Sequence, residues 1–379
     1  MNAALEFRNV DVVFARAAGR DGAAASRRAL TRLDGGEDAA AVAASCQVTF
    51  AVRGADLAVS PGEICVIMGL SGSGKSTLLR TANGLTPVTR GQVIVDGRDG
   101  PLDITRCDAD SLCAARRRRI SMVFQQAALL PWRSVADNVG LGLELRGEPR
   151  AERARIVAEK LALVGLADWA DRRIDELSGG MQQRVGLARA FATEADILLM
   201  DEPFSALDPL IRSRLQDELL SLQERVRKTI LFVSHDLDEA LRIGDRIAIM
   251  DQGRIVQTGT PQDIVLRPAD ARVAEFVQHM NPLTALTGAM VMRRLDGLPR
   301  VDGEIVLDDA SGHRLRADGT AGGHRLVVAS VDIDLRSLIR LRQDSGHPVL
   351  LADEGGLVGV CDAADILRAL SSRQAPGAA

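Results

Sequence analysis

Residues 64–77 read ICVIMGLSGSGKST. The first five are a short apolar run between turn residues, as a strand buried on both faces of a parallel sheet should be. The next nine are a full match to G-x-x-x-x-G-K-[ST]. Glycines at that spacing let successive backbone N–H groups curl around phosphate oxygens, because a Cβ would block the approach. The helix that follows, expected from Lys75 to about Ala82, adds the positive end of its dipole. Gly69, Leu70, Ser71, Gly72, Ser73, Gly74, Lys75, Ser76 and Thr77 are therefore expected to hold a nucleotide. Lys75 is expected on the β- and γ-phosphates and the Ser76 hydroxyl on magnesium. The strand before the loop and the helix after it supply the required context, which an ordinary Gly/Ser turn lacks.

Further along, residues 197–203 read ILLMDEP. An apolar strand ending in Asp201 puts a carboxylate where a second magnesium contact is needed. Glu202, one residue on, points elsewhere and is expected to polarise the attacking water as a general base. Acidic residues also end many strands as solvated groups, but the upstream phosphate loop favours the functional reading. Gln125 ends the run ISMVFQ, where its amide is expected to reach both magnesium and the attacking water. A solvated loop amide is the plainer alternative. His235 ends TILFVSH and is expected to hold the γ-phosphate and orient the base, although a lone histidine is more often structural. Residues 177–183, LSGGMQQ, form a second glycine-rich turn that opens its own helix. Taken alone, Ser178 is a good N-cap and the turn only a capped helix start. In this order along the chain, it is a second anion-binding helix end.

Working outward, strands are expected at 4–14 (an edge strand), 47–59, 91–97 (a hairpin strand), 120–124, 229–233 and 246–250. Helices are expected at 181–193, 209–227 and 236–242, with a helical stretch over about 134–176. Residues 15–45, rich in Ala, Arg and Gly, read as a mobile, partly helical insertion. Strands alternating with helices predict a parallel sheet covered on both faces. The composition shifts after about residue 280, and a boundary is expected near 281–282. At 379 residues two or three domains are expected, and 46% hydrophobic residues are ample for buried cores. A net charge of −4, from 51 acidic and 47 basic residues, gives no reason to invoke nucleic acid. Five cysteines fit neither a zinc pattern nor a disulfide scaffold, so a reduced, cytosolic setting is the simplest reading. The first ten residues do not resemble a signal peptide, and no apolar run approaches the roughly 20 residues of a membrane helix. A membrane role would come by attachment to another subunit.

The order phosphate loop, Gln125, LSGGMQQ, MDEP, SALD at 205–208 and His235 resembles the ATP-binding subunit of an ABC transporter, over about 270 residues. The resemblance implies an α/β fold. Its parts would be a P-loop NTPase core with a RecA-like parallel sheet, an antiparallel β subdomain, and a helical subdomain over about 134–180. ATP and Mg2+ would be the cofactors, with Ser76, Gln125 and Asp201 around the metal. Two copies would pack head to tail as a homodimer, with Ser178, Gly179 and Gly180 of one facing the ATP held by the other. Asp208 would line that interface. An aromatic ring would stack on adenine; Phe14 is the candidate and Phe50 the runner-up. The stretches 67–77, 209–223 and 236–261, and the long segment before the phosphate loop, resemble the ATPases of quaternary-amine importers. The cargo of these importers is glycine betaine, proline betaine or choline. Such ATPases sit as peripheral proteins on the cytoplasmic face of the inner membrane, under integral-membrane permease subunits served by an external substrate-binding protein.

Residues 125–139 lie where that family docks the permease. Leu130, Pro131 and Trp132 suit such a contact, or else belong to the core of the helical subdomain. Residues 281–379 are expected to form a small α+β regulatory or dimerisation domain. Within it, about 326–371 resemble one CBS module: helix, strand, Gly turn, strand, helix. The remaining function classes are an importer ATPase for another small solute, and a soluble ABC ATPase acting on ribosomes or DNA.

Overall fold

The computed structural model describes residues 3–97, 100–205, 207–278, 283, 286–297, 300–301, 304–308, 313–315, 320–321, 324–353 and 355–371. The expected boundary at 281–282 and Ala206 of the SALD stretch lie outside the described residues. The chain divides into two compact units, Met1–Ile264 and Val265–Ala379.

The first unit is built on two sheets. One is antiparallel: β1 (Leu5–Ala15), β2 (Val48–Val59), β4 (Arg90–Val95) and β5 (Leu102–Asp103), in the order β2-β1-β4-β5. The first strand is thus interior, paired on both sides, and not the edge strand its partial alternation suggests. Buried Leu5, Phe7, Val10 and Val12 make that pattern, and register shifts at Phe7/Val10 and Val10/Val12 break its period. The other sheet has six strands in the order β10-β9-β3-β8-β7-β6. They are β3 (Ile64–Met68), β6 (Ile120–Val123), β7 (Ile197–Asp201), β8 (Thr229–Val233), β9 (Arg246–Asp251) and β10 (Arg254–Gly259). Five are parallel, and β10 returns antiparallel along β9.

The strand period of two decides which residues of the six-stranded sheet face the antiparallel one. Cys65 and Ile67, Ile197 and Leu199, Leu231 and Val233, and Ala248 and Met250 share a core with Leu5, Phe7, Val52 and Val93. Between the sheets lies α3 (Lys75–Thr81), contributing Leu78 and Leu79. The helix α4 (Ala109–Arg118) leads into β6, and a helical layer follows that strand: α5 (Val135–Leu145), α6 (Arg150–Leu163) and α7 (Gly179–Ala192). The last begins two residues before its expected start, because Ser178 caps it by accepting from Met181 N. The remaining helices α8 (Pro209–Val226) and α9 (Leu237–Ile243) lie where periodicity placed them, capped by the side chains of Asp208 and Asp236.

The insertion before β2 differs most from expectation. It forms a helical hairpin, α1 (Gly19–Asp34) and α2 (Ala39–Cys46), with its own small core. Ala25, Ala29, Leu30 and Val42 pack on Val13 and Val48, so the segment is docked on the sheet and not loose. Arg90 pins it, bonding Asp11 of β1 at 2.7 Å and Asp34 of α1. The buried positions of α1, Gly22, Ala25, Ser26, Ala29 and Leu30, recur at helical spacing, a stripe present in the sequence although it is made mostly of small residues.

In the second unit, strands 293–294, 356–361, 349–353 and 328–330 form one sheet in that order. Strands 328–330 and 349–353 are parallel, joined through the helix Leu335–Ser345, and the helix Ala363–Ser371 follows strand 356–361. Among the described residues no helix is long and apolar enough to cross a membrane.

The hairpin core yields a test. Leu30→Ala should cost about 2–5 kcal/mol, the usual range for a buried leucine truncated to alanine. The urea midpoint measures it, and an unchanged midpoint would mean that the hairpin contributes nothing to the first unit.

Candidate nucleotide site

The phosphate loop sits at the C-terminal end of β3 and is shaped by close backbone approach. Gly69 has φ +147° and Gly74 has φ +100°. A Cβ on Gly69 would meet Met250 O at 2.0 Å, and one on Gly74 would meet Ala51 O at 2.1 Å. Both positions therefore require glycine for space as well as for φ. Gly253 N donates to Ser73 O at 3.0 Å, holding the loop against the β9–β10 turn. Lys75 opens α3 and is buried. Its ammonium donates to Gly69 O (2.8 Å) and Leu70 O (2.9 Å), lying across the loop's mouth. Burial lowers its pKa, opposed by the carboxylates of Glu202 and Asp201. The loop fits a phosphate chain, since Ser73 Oγ is buried with no hydrogen-bond partner and is free to donate.

Asp201 is fully buried at the end of β7, level with Val233 in the ladder. It faces the same side as Ile197 and Leu199, toward α3. Ser76 Oγ donates to its Oδ1 at 2.6 Å. Arg80, one turn further along α3, reaches its Oδ2 at 2.9 Å. Sequence reasoning missed Arg80. The available signal was the i, i+4 spacing from Ser76, which puts both on one helix face. Ser76 and Asp201 suit a magnesium ion that keeps waters and takes its other ligands from phosphates. Among the described residues no group of three or more His, Cys, Asp or Glu could hold a metal without such help.

The next residue, Glu202, turns away from Asp201 in the left-handed region at φ +48°, its N–H bonded to Val233 O. Such a conformation costs on the order of 1–3 kcal/mol and persists only when the surroundings impose it. Its Oε2 is 3.2 Å from Gln125 Nε2, which donates, and 3.1 Å from His235 Nδ1. The structure thus brings Gln125, Glu202 and His235 into one cluster from three separate strand ends. A carboxylate held by an amide and an imidazole can accept a proton from water beside the phosphate loop.

The LSGG turn joins no part of this cluster within the chain. Leu177 is buried and anchors it, while Ser178 and Gly179 are exposed. A Cβ on Gly179 would meet nothing within 4 Å. Asp208 is likewise exposed, its carboxylate accepting from Ile211 N. Phe14, on β1, is 48% exposed, whereas Phe50 packs partly against the hairpin core. Trp132 is 68% exposed, and Pro131 is exposed beside it, so neither is a core residue; Leu130 is half-buried. The loop that carries them is clamped by buried Asn138, which accepts from Leu130 N and donates to the carbonyls of Leu130 and Ser134. A cleft of about 880 Å³ opens at the opposite, N-terminal ends of β7 and β8, lined by Ile197 and Thr229. None of the expected site residues lines it.

Behind His235, Ser234 Oγ donates to the buried carboxyl of Glu239 on α9, and Gln216 Nε2 donates to the other oxygen. Burial raises the Glu239 pKa, against those two hydrogen bonds and the Arg212 charge, with Asp236 adding to the rise.

Residues 52–205 match the sequence family described as ABC transporter. The glycine betaine transport ATP-binding protein OpuAA of Bacillus subtilis is 49% identical over 277 residues, 73% of this chain and 65% of that one. The glycine betaine/proline betaine transport system ATP-binding protein ProV of Escherichia coli is 51% identical over 247 residues, 65% of this chain and 61% of that one. The chain thus spans under two thirds of the length of these two relatives. The trimethylamine N-oxide transport system ATP-binding protein TmoW of Ruegeria pomeroyi is 42% identical over 320 residues, 83% of this chain and 85% of that one. Among solved structures, a dimeric ATP-binding cassette in a post-hydrolysis state bound to ADP and Pi superposes with a TM-score of 0.56 at 30% identity. It covers 68% of this chain and 98% of that one.

The Glu239 carboxyl gives a pH test. A raised folded-state pKa means that the folded chain holds a proton the unfolded chain has lost. That contribution is complete below the ordinary carboxylate range and is lost as pH rises through the raised value. Glu239→Gln should flatten this decline in a series of urea midpoints taken from acid upward. A variant that keeps the parent slope would contradict the assignment.

Proposed function

The chain belongs to the ABC transporter ATP-binding proteins, and on that premise we propose that it is the ATP-hydrolysing subunit of an importer for quaternary ammonium compounds. Glycine betaine, proline betaine or choline would be the cargo. The observation that carries the hydrolytic reading is the convergence of Gln125 and His235 on the Glu202 carboxylate beside a phosphate loop.

Two copies would pack head to tail. The exposed Ser178–Gly180 turn of each would meet the ATP seated on Lys75 and the Gly69–Gly74 loop of the other. The free space over Gly179 and the backbone N–H groups at the start of α7 support this reading. Asp208 would stand at the interface and Phe14 against adenine. Magnesium, held by Ser76, Gln125 and Asp201, would neutralise phosphate charge when bound with ATP. Glu202 would take the proton of the water attacking the γ-phosphorus as the bond to the ADP oxygen breaks. His235 would hold the γ-phosphate and keep Glu202 aimed, and loss of phosphate would let the two copies part. Leu130, Pro131 and Trp132 would meet the permease, which places the subunit on the cytoplasmic face of the inner membrane. An external binding protein would deliver the solute. Residues 326–371 would be a single CBS-like module within a regulatory or dimerisation domain. The strand and helix order there supports that assignment.

Trimethylamine N-oxide is a second cargo reading, favoured by the greater share of the chain that matches TmoW. Uptake of radiolabelled glycine betaine, choline and trimethylamine N-oxide, in cells with and without the gene, separates the cargoes. Uptake of none of the three, dependent on this chain, would refute the quaternary-amine assignment and leave another solute.

Glu202→Gln should bind ATP as the parent does, form an ATP-stabilised dimer on a sizing column, and turn over at least 10²-fold more slowly, the scale of general-base loss. Ser178→Arg should abolish hydrolysis while single-subunit ATP binding survives. Parent-like turnover in either variant would sink the composite site.

A further inference from the structure

The loop that carries Gln125 takes its shape from a neighbouring helix. Three of its carbonyl oxygens accept from side chains of α7, the helix that opens at Ser178. Gln183 Nε2 donates to Phe124 O at 3.2 Å. Arg189 divides its two terminal nitrogens between Ala127 O, at 2.7 Å, and Ala128 O, at 2.9 Å. Ala128 has φ +45°. A non-glycine residue there is strained, so the loop needs outside support to hold it. A Cβ on Gly186 would lie 3.4 Å from Ala127 Cβ, so the helix backbone runs directly against the loop. Gln183 is buried and burial pulls the Arg189 pKa down; the bonds to Phe124 O and Ala127 O are partly buried and that to Ala128 O is exposed. A charged donor strengthens the bonds that Arg189 makes relative to neutral ones.

The other end of the same loop is fixed by Asn138 on α5. Gln125 therefore projects from a segment gripped at both ends, with its amide 3.2 Å from Glu202. At a rise of about 1.5 Å per residue, the eleven residues from Gly179 to Arg189 span roughly 15 Å of one continuous helix.

We propose that Gln183 and Arg189 are positioning residues that make the Gln125 loop ride on α7. Their bonds hold the loop from which the Gln125 amide reaches Glu202. The inference rests on the reading of Glu202 and Gln125 as hydrolytic groups. Arg189 suits the role because its planar fork serves two carbonyls at once, which a lysine ammonium on a flexible stem does not.

The test uses the full chain with Arg189→Lys and Gln183→Leu. Amide hydrogen exchange should quicken by about 10-fold or more over residues 125–129 in each variant, while the amides of α7 itself exchange as in the parent. The kcat for ATP should fall on the order of 10-fold, with KM and nucleotide affinity within about 2-fold, since misplacement by about 1 Å can cost up to 10² in rate. Unchanged exchange over 125–129 overturns the proposal, whatever the activity. So does a kcat within about 2-fold of the parent, or a loss matched by equally weakened nucleotide binding. Should Arg189→Lys fail to fold, Gln183→Leu, near in size, decides alone. A parent chain that does not hydrolyse ATP would overturn the hydrolytic reading instead. The exchange result would still decide whether the loop rides on the helix.

Discussion

A carboxylate with no exposure must be paired, because stripping water from an ion costs several kcal/mol after the protein relaxes. Asp201 meets that demand with two partners from one helix, the Ser76 hydroxyl and the Arg80 guanidinium. The two bonds fix β7 against α3, and since α3 starts at Lys75, they also fix the helix end that the phosphate loop feeds. A slip of one residue in β7 would turn Asp201 to the opposite face and bury it without partners. The step from Asp201 to Glu202 follows from the same constraint. The strand ends at Asp201, and the left-handed turn at Glu202 sends the next carboxylate to Gln125 and His235.

Much of this was legible in the chain. Short apolar runs ending in Gly69, Asp201 and His235 announced parallel strands whose C-terminal ends converge, and the six-stranded sheet has them there. Side-chain chemistry at strand ends is readable because the period of two leaves few choices. The hidden parts depend on pairing across long separations. That Leu5–Ala15 lies inside its sheet follows from β2 and β4 flanking it on both sides, a fact of topology that alternation within one strand does not carry. The stripe of α1 was there to be read at Gly22, Ala25, Ser26, Ala29 and Leu30, but nothing within the segment says that it docks on Val13 and Val48. Arg80, Gln183, Arg189 and Asn138 were missed because polar residues on helices read as solvated faces, and only the fold reveals that each meets a backbone or a carboxylate.

The exposed turn at Ser178 is chemically incomplete. A helix N-terminus with a capped serine and open space over its glycine is ready for an anion, yet the chain's own phosphate loop does not meet it. Gln125, Glu202 and His235 come together within one copy, while on the proposed reading the second grip on the nucleotide comes from another copy. This division lets binding chemistry and assembly be altered separately.

The phosphate loop is held from outside itself. Its glycines abut Ala51 O and Met250 O, and its Ser73 carbonyl takes a bond from Gly253. These supports are separated by some two hundred residues of chain. During vectorial synthesis the loop emerges long before the β9–β10 turn that braces it. The set of braces is therefore complete only when nearly the whole first unit has been made. Nucleotide in this architecture rewards the finished unit and gives no help to its early folding.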